Sequence, residues 1–346
     1  MWRWGSREGR QSMDETMKAS FIRVNGLRKT YEVRRGLFGR VRALHAVAGV
    51  TFAVQRGTTF GLVGESGSGK TTIAKMLMLA EPPTDGRIEV AGQDLTRLSS
   101  TQRERFHSEV QPVLQDPYSS LNPRMRIGRI IDEPLRIHRR AGGASLGARV
   151  CELLELVGLP GDAGSRFPHE LSGGQRQRVS IARALGLNPS GIILDEPVSA
   201  LDVSVQAQIL NLLKDLQARL GLTYLLISHD LAVVAYMSQR VGVLYLGEFM
   251  EIADTREIVR DARHPYTRAL IAAVDARSGS PDVSAVAGEI PSPMNPPAGC
   301  TFHPRCPHAQ ARCRAEKPAL REIGPSHLVA CHLAEQVSAR TSASCS

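Results

Sequence analysis

An α/β fold built on a largely parallel sheet is what this sequence predicts, and three observations carry it. Strand-like apolar runs alternate with helix-like ones from residue 21 to about residue 258. A glycine-rich loop, GESGSGKT at 64–71, stands between the strand-like TFGLVG and the helix-like TTIAKMLML. GIILDEP at 191–197 is an apolar run that ends in two acids. With 346 residues, the chain has room for one large domain and a smaller one.

The elements follow in order. Residues 1–20, MWRWGSREGRQSMDETMKAS, lack the apolar centre of a secretory signal and read as a loose tail, with Met13 or Met17 as alternative starts. Residues 21–63, including VRALHAVAGVTFAV, read as strands leading into the glycine loop. After the helix that follows Lys70 come a Pro-Pro-Thr-Asp-Gly turn, the strand RIEVAG and the strand VQPVLQ at 110–115. From about 116 to 186 helical patterns broken by Pro and Gly suggest a helical insert. Past GIILDEP, Val205, Ile209, Leu212, Leu213, Leu216 and Leu220 keep helical spacing and Gly221 closes the helix. TYLLISHD is a buried strand, and RVGVLYLGEFMEIAD reads as a hairpin. Composition then changes: EIPSPMNPPAG has four prolines in eleven residues, so residues 259–346 are set apart as a C-terminal region.

A hydrophobic content of 42% is ordinary for a globular chain, and no apolar run approaches the roughly 18 residues of a membrane span. The excess of 43 Lys+Arg over 34 Asp+Glu permits nucleotide phosphates, an anionic membrane face or nucleic acid as partners. The basic residues are scattered without interleaved aromatics, so nucleic acid is not expected.

The chemistry begins at the loop. In Gly64-Glu65-Ser66-Gly67-Ser68-Gly69-Lys70-Thr71, followed by Thr72, glycines let backbone amides wrap phosphate oxygens. Lys70 is expected on the β- and γ-phosphates and Thr71 on Mg²⁺. Asp195 is expected to hold Mg²⁺ through water, and Glu196 to orient and deprotonate the attacking water. Gln115 is a candidate sensor of the γ-phosphate or Mg²⁺, His229 a donor to the γ-phosphate and Tyr31 a platform for adenine. Each has a plainer alternative: a polar strand end, a capping or core histidine, an edge-strand tyrosine.

A second small-residue turn, Ser172-Gly173-Gly174-Gln175, opens an arginine-rich helix and offers bare N–H groups to an anion. One nucleotide cannot fill two cradles in different subdomains of one chain. It can be shared when the second turn of one subunit closes over the γ-phosphate held by the loop of another.

With these motifs the sequence resembles the nucleotide-binding subunits of ABC transporters: the phosphate loop, Gln115, LSGGQ at 171–175, ILDEP at 193–197, SALD at 199–202 and His229 follow the family's order. QDPYSSLNPRMRIG, HPYTRAL and GEIPSPMNPPAGCTFHPRCP narrow the resemblance to ATP-binding subunits of dipeptide and oligopeptide importers. It covers roughly residues 21–335 and implies an ABC-type nucleotide-binding domain over 21–258, with a parallel-sheet core, an antiparallel β subdomain and a helical subdomain at about 116–186. It further implies ATP and Mg²⁺, Gln115 as a coupling glutamine, Asp202 as a cross-subunit contact, His229 as a switch histidine and Glu196 as the base. The implied partners are a second, related nucleotide-binding subunit, two transmembrane permease subunits and an extracytoplasmic solute-binding protein. The implied place is the cytoplasmic face of a bacterial-type membrane, as a peripheral subunit. Departures are small: Gly191 interrupts the apolar run before Asp195, and Val198 replaces a commoner threonine. Importers of nickel chelates or sugars, or a soluble ABC-type ATPase acting on nucleic acid or ribosomes, are the alternatives.

Four of the six cysteines, Cys300, Cys306, Cys313 and Cys331, have the spacing C-x5-C-x6-C-x17-C. That spacing matches neither a ferredoxin run nor a C-x2-C zinc site. Some relatives with this region hold a [4Fe–4S] cluster, which makes these four candidate ligands; reduced thiols and zinc stay open. Cys151 reads as helix core and Cys345 as a tail thiol.

Overall fold

The computed structural model describes residues 20–34, 41–138, 144–277 and 288–336. Two sheets organise them. The smaller is antiparallel, in the order β2-β1-β4-β5, from β1 (Ser20–Arg34), β2 (Val41–Gln55), β4 (Asp85–Val90) and β5 (Gln93–Asp94). The larger has eight strands. Its parallel part runs β9 (Arg240–Tyr245), β3 (Thr59–Val63), β8 (Thr223–Ser228), β7 (Gly191–Asp195), β6 (Val110–Val113). Antiparallel β10 (Glu248–Asp254), β12 (His327–Val329) and β11 (Arg321–Gly324) extend it past β9.

The central strands are buried on both sides, and their period of two splits them between two cores. Ile192 and Leu194 of β7, with Tyr224 and Leu226 of β8, face the helices. Ile193, Leu225 and Ile227 face the antiparallel sheet and α1 (Lys70–Leu77), joining Phe21, Ile22, Val24 and Ile73. Gly191 has a steric reason: a Cβ there would lie 2.3 Å from the Phe21 ring. The helical side holds α4 (Ile127–Ile137), α5 (Ala144–Leu156) and α6 (Gly173–Leu185), with the short α3 (Pro117–Ser120) beside α6. α7 (Val203–Leu220) packs on α6 and ends at Gly221, whose φ of +65° suits glycine.

Several elements go beyond the sequence reading, three of them notable. A helix, α2 (Ser100–Glu109), begins at a reciprocal capping box between Ser99 and Gln102. β11 and β12 bring residues beyond 258 into the main sheet, so the boundary expected at 258/259 does not divide the sheet. One reading is corrected. Cys151 lies on α5 but faces solvent, because Val150, Leu153 and Leu154 supply the buried stripe. Of the loose tail expected over residues 1–20, all but Ser20, which opens β1, falls outside the described residues, as does the tail thiol Cys345.

Candidate functional site

All five residues of β3 are buried, and the strand, paired with β9 on one side and β8 on the other, delivers the chain into the glycine loop. Gly64 is required by close approach, since a Cβ would stand 2.1 Å from the Leu244 carbonyl oxygen. Gly69 has φ +104° and a Cβ would meet the Ala46 carbonyl at 2.4 Å. Ser66 and Gly67 are exposed at the tip of the loop, while Ser68 is buried. Lys70 opens α1 and donates to the carbonyl oxygens of Gly64 (2.6 Å) and Glu65 (2.9 Å) and to Ser68 Oγ (3.3 Å). Burial pushes the Lys70 ammonium down from its ordinary pKa, against the pull of Glu196, Asp195 and Glu65. Thr71 is exposed and Thr72 half-buried in the first turn of α1.

Asp195 ends β7 with only 6% of its surface exposed, and its Oδ1 is buried without a hydrogen-bond partner among the described residues. Burial raises this carboxyl above the usual range, Glu196 adds to the rise, and Lys70 and Lys75 oppose it. An orphaned acid oxygen beside a phosphate-type loop fits a water-coordinated Mg²⁺.

Glu196 is held at φ +47°, in the left-handed region. Such a residue costs on the order of 1–3 kcal/mol and persists where its surroundings fix it. Here its N–H donates to Ile227 O (2.9 Å), and its own carbonyl accepts from Ser199. The turn throws its carboxylate toward the ends of both neighbouring strands. Oε2 accepts from Gln115 Nε2 at 3.1 Å and lies 3.1 Å from His229 Nδ1. Three candidates far apart in the sequence thus meet beyond the carboxyl ends of β6, β7 and β8, where open parallel sheets place their ligands.

Tyr31 stands on β1, with its hydroxyl donating to Glu81 and also interacting with Thr72 of the loop helix. Lys29 lies 5.1 Å from the ring centroid, and Lys29 and Lys75 both pair with Glu81. The LSGGQ turn sits on the helical side. Ser172 caps α6: its Oγ accepts from the Gln175 N–H (3.3 Å), and the Gln175 side chain accepts from the Ser172 N–H (3.0 Å). The amides of Gly173 and Gly174 lie in the first turn of α6, where a helix cannot satisfy its own N–H groups. Gly174 is fixed by packing, because a Cβ would lie 2.5 Å from Val205 Cγ1 of α7. Asp202 precedes α7, exposed and without a capping hydrogen bond, beside an 81% exposed Val203.

The four C-terminal cysteines are free thiols; Cys300, Cys313 and Cys331 are buried and Cys306 partly so. They are near enough to influence one another electrostatically, and the Cys300 N–H donates to Cys313 O at 2.8 Å. Burial pushes the Cys300 and Cys331 thiols up to about 11. Among the described residues, however, no three Cys, His, Asp or Glu side chains converge to hold a metal ion. The expectation of a [4Fe–4S] cluster therefore gains no support from the arrangement.

Two contacts were not visible in the sequence. Arg305 reaches Glu65 of the glycine loop, and Tyr266 receives the Glu65 N–H. In HPRCP the histidine and the cysteine draw attention by type, and no local pattern marks the arginine.

Family models match two stretches: "ABC transporter" over residues 47–199 and "Oligopeptide/dipeptide transporter, C-terminal region" over residues 250–313. The chain is 46% identical over 327 residues to the oligopeptide transport ATP-binding protein AppF of Bacillus subtilis, covering 93% of this chain and 99% of that protein. Among solved structures it is similar to the dimeric MJ0796, a bacterial ABC transporter cassette, with TM-score 0.60, 28% identity and coverage of 68% of this chain and 99% of the other. It is also similar to cbiO1 from Clostridium perfringens, part of the ABC transporter complex cbiONQ, with TM-score 0.60, 25% identity and coverage of 69% and 90%.

Proposed function

The chain belongs to the ABC transporter family, within its oligopeptide and dipeptide branch, and from that premise we propose that it is the ATPase subunit that powers import of di- and oligopeptides across the cytoplasmic membrane. The observation that carries the reading is the meeting of Gln115, Glu196 and His229 on one carboxylate oxygen, beside a complete phosphate loop.

In this reading the loop from Gly64 to Thr72 and the buried Lys70 hold the triphosphate, and Tyr31 takes the adenine. Thr71, Gln115 and Asp195 would hold Mg²⁺, and that ion would supply charge neutralisation to the triphosphate. Glu196 accepts the proton of the attacking water, and its strained turn fixes where that proton goes. His229 and Gln115 hold the Glu196 carboxylate in line. Ser172, Gly173, Gly174 and Gln175 belong to the site of a second nucleotide-binding subunit, with Asp202 at the seam. ATP then joins two subunits. The similar MJ0796 cassette, solved as a dimer in a post-hydrolysis state bound to ADP and Pi, supports that arrangement. Driving such a closure from 1:99 to 99:1 takes about 5.5 kcal/mol of differential binding, shared here between two ATP molecules.

No helix among the described residues is long and apolar enough to cross a membrane. The subunit's place is peripheral, on the cytoplasmic face, against two permease subunits served by an extracytoplasmic solute-binding protein. Within the subunit, a nucleotide-binding unit at 21–258 does the ATP chemistry, and a C-terminal region at 259–346 is appended to it. A [4Fe–4S] cluster on Cys300, Cys306, Cys313 and Cys331 is the one part of this reading that no convergence of ligand side chains among the described residues supports. Iron and sulfide counted per chain after anaerobic purification decide it, and less than one iron per chain removes it.

The test of function is ATP-driven uptake by the reconstituted transporter. Labelled oligopeptide is expected to accumulate with MgATP. Uptake of nickel chelates or sugars instead, or ATPase activity stimulated by nucleic acid and not by permease subunits, would overturn the peptide assignment.

A further inference from the structure

The C-terminal region grips the phosphate loop at Glu65. Arg305 NH1 and NH2 donate to the two carboxylate oxygens at 2.6 and 2.9 Å, a bidentate pair across 240 residues of sequence. The Arg305 side chain is 5% exposed, and its guanidinium lies against Tyr245 and Phe302, at 5.8 and 6.0 Å from their ring centroids. The Glu65 N–H donates to Tyr266 Oη at 2.9 Å, so this amide turns toward the C-terminal region. Tyr245, Tyr266 and Phe302 pack ring against ring and make the clamp rigid. Arg305 itself closes a short turn, His303–Arg305, set between Cys300 and Cys306 and tied back by His303 Nδ1 to the Cys300 carbonyl (2.9 Å).

An acid within a loop that receives a triphosphate opposes its own ligand. We propose that Arg305, backed by Tyr266, is a positioning residue for the phosphate loop: it draws the Glu65 carboxylate away, cancels its charge, and makes the C-terminal region a determinant of ATP affinity. The proposal deepens the ATPase reading and rests on it.

The test is a four-member cycle in the full-length chain, read as MgATP affinity and, in the assembled transporter, as KM and kcat for ATP. R305M leaves the acid unopposed and raises KM about tenfold, equivalent to about 1.4 kcal/mol, with kcat within about twofold. E65Q leaves the cation unopposed and lowers KM severalfold. The double variant returns to within about threefold of wild type, and R305K falls between R305M and wild type. A merely structural contact would lower the melting temperature of R305M and E65Q alike without moving KM in opposite directions. Should R305M fail to fold, E65Q and R305K carry the test. An E65Q affinity equal to or weaker than wild type, or an R305K affinity as poor as that of a folded R305M, overturns the proposal. A wild-type chain that binds no ATP overturns the ATPase reading instead.

Discussion

Replacing Glu196 by Gln removes one charge and one base while keeping the shape of the side chain. The carboxamide oxygen still accepts from Gln115, so the 3.1 Å contact and the left-handed turn persist. General-base assistance is worth about 10²–10⁴ in rate, or about 2.7–5.4 kcal/mol of barrier. Binding should move the other way. Glu196 adds to the rise in the Asp195 carboxyl, so its neutralisation favours ionised Asp195, the form that holds Mg²⁺. It also removes a negative charge beside the triphosphate. The expected variant therefore releases phosphate two to four orders of magnitude more slowly under saturating MgATP, yet binds MgATP at least as tightly as wild type. Single-turnover phosphate release and nucleotide titration measure the two. Hydrolysis within about threefold of wild type would refute Glu196 as the base. A loss of ATP affinity as large as the loss of rate would refute the electrostatic argument.

Acidification should loosen the fold through His264. This ring is fully buried, its Nδ1 accepts the Tyr266 N–H at 3.0 Å, and burial pushes it down to about 4, with Glu251 only partly opposing. The unfolded chain takes up the proton first, near the ordinary pKa of about 6.5. Stability present above that value is lost as pH falls toward 4, by about 2 kcal/mol between pH 7 and pH 5. Urea unfolding at the two pH values should show that drop in wild type and a smaller one in H264N; equal drops would discount His264. At the LSGGQ turn, G174A drives a methyl group to within 2.5 Å of Val205 Cγ1. Overpacking of this kind costs about 1–3 kcal/mol, and V205A in the same chain should restore most of it. A denaturation midpoint for G174A equal to wild type would show that α6 and α7 yield freely at this point.

The nucleotide-facing half of the molecule was legible because its signals are local. A strand, a glycine loop and a helix follow one another without interruption, and acids at the end of an apolar run can only lie at the rim of a buried sheet. The turn at Gly221 and the hairpin of β9 and β10 were readable for the same reason. What escaped depends on distance or on weak pattern. Nothing near Arg305 announces that its partner lies in the glycine loop. α2 is charged and nearly without an apolar face, so periodicity could not find it, although the Ser99-x-x-Gln102 cap could have. β11 and β12 are four and three residues long, too short for alternation to show. Cys151 misled because a cysteine among leucines looks interior, when its angular position on α5 points outward. The oddity at Gly191 became intelligible only once Phe21 was seen filling the space.

The seam between β10 and β12 has a practical corollary. Glu251 and Ile252 pair with Val329 and Leu328, and the buried Glu251 carboxylate is sealed by His327 and by the amides of Arg263 and His264. Trimming the chain after residue 258 would strip a neighbour from a hydrophobic strand and leave an acid in the interior without its donors. A naked edge of that sort recruits other chains. The tail end of this polypeptide is thus a wall of the engine room, and a shortened subunit would be sticky before it was inactive.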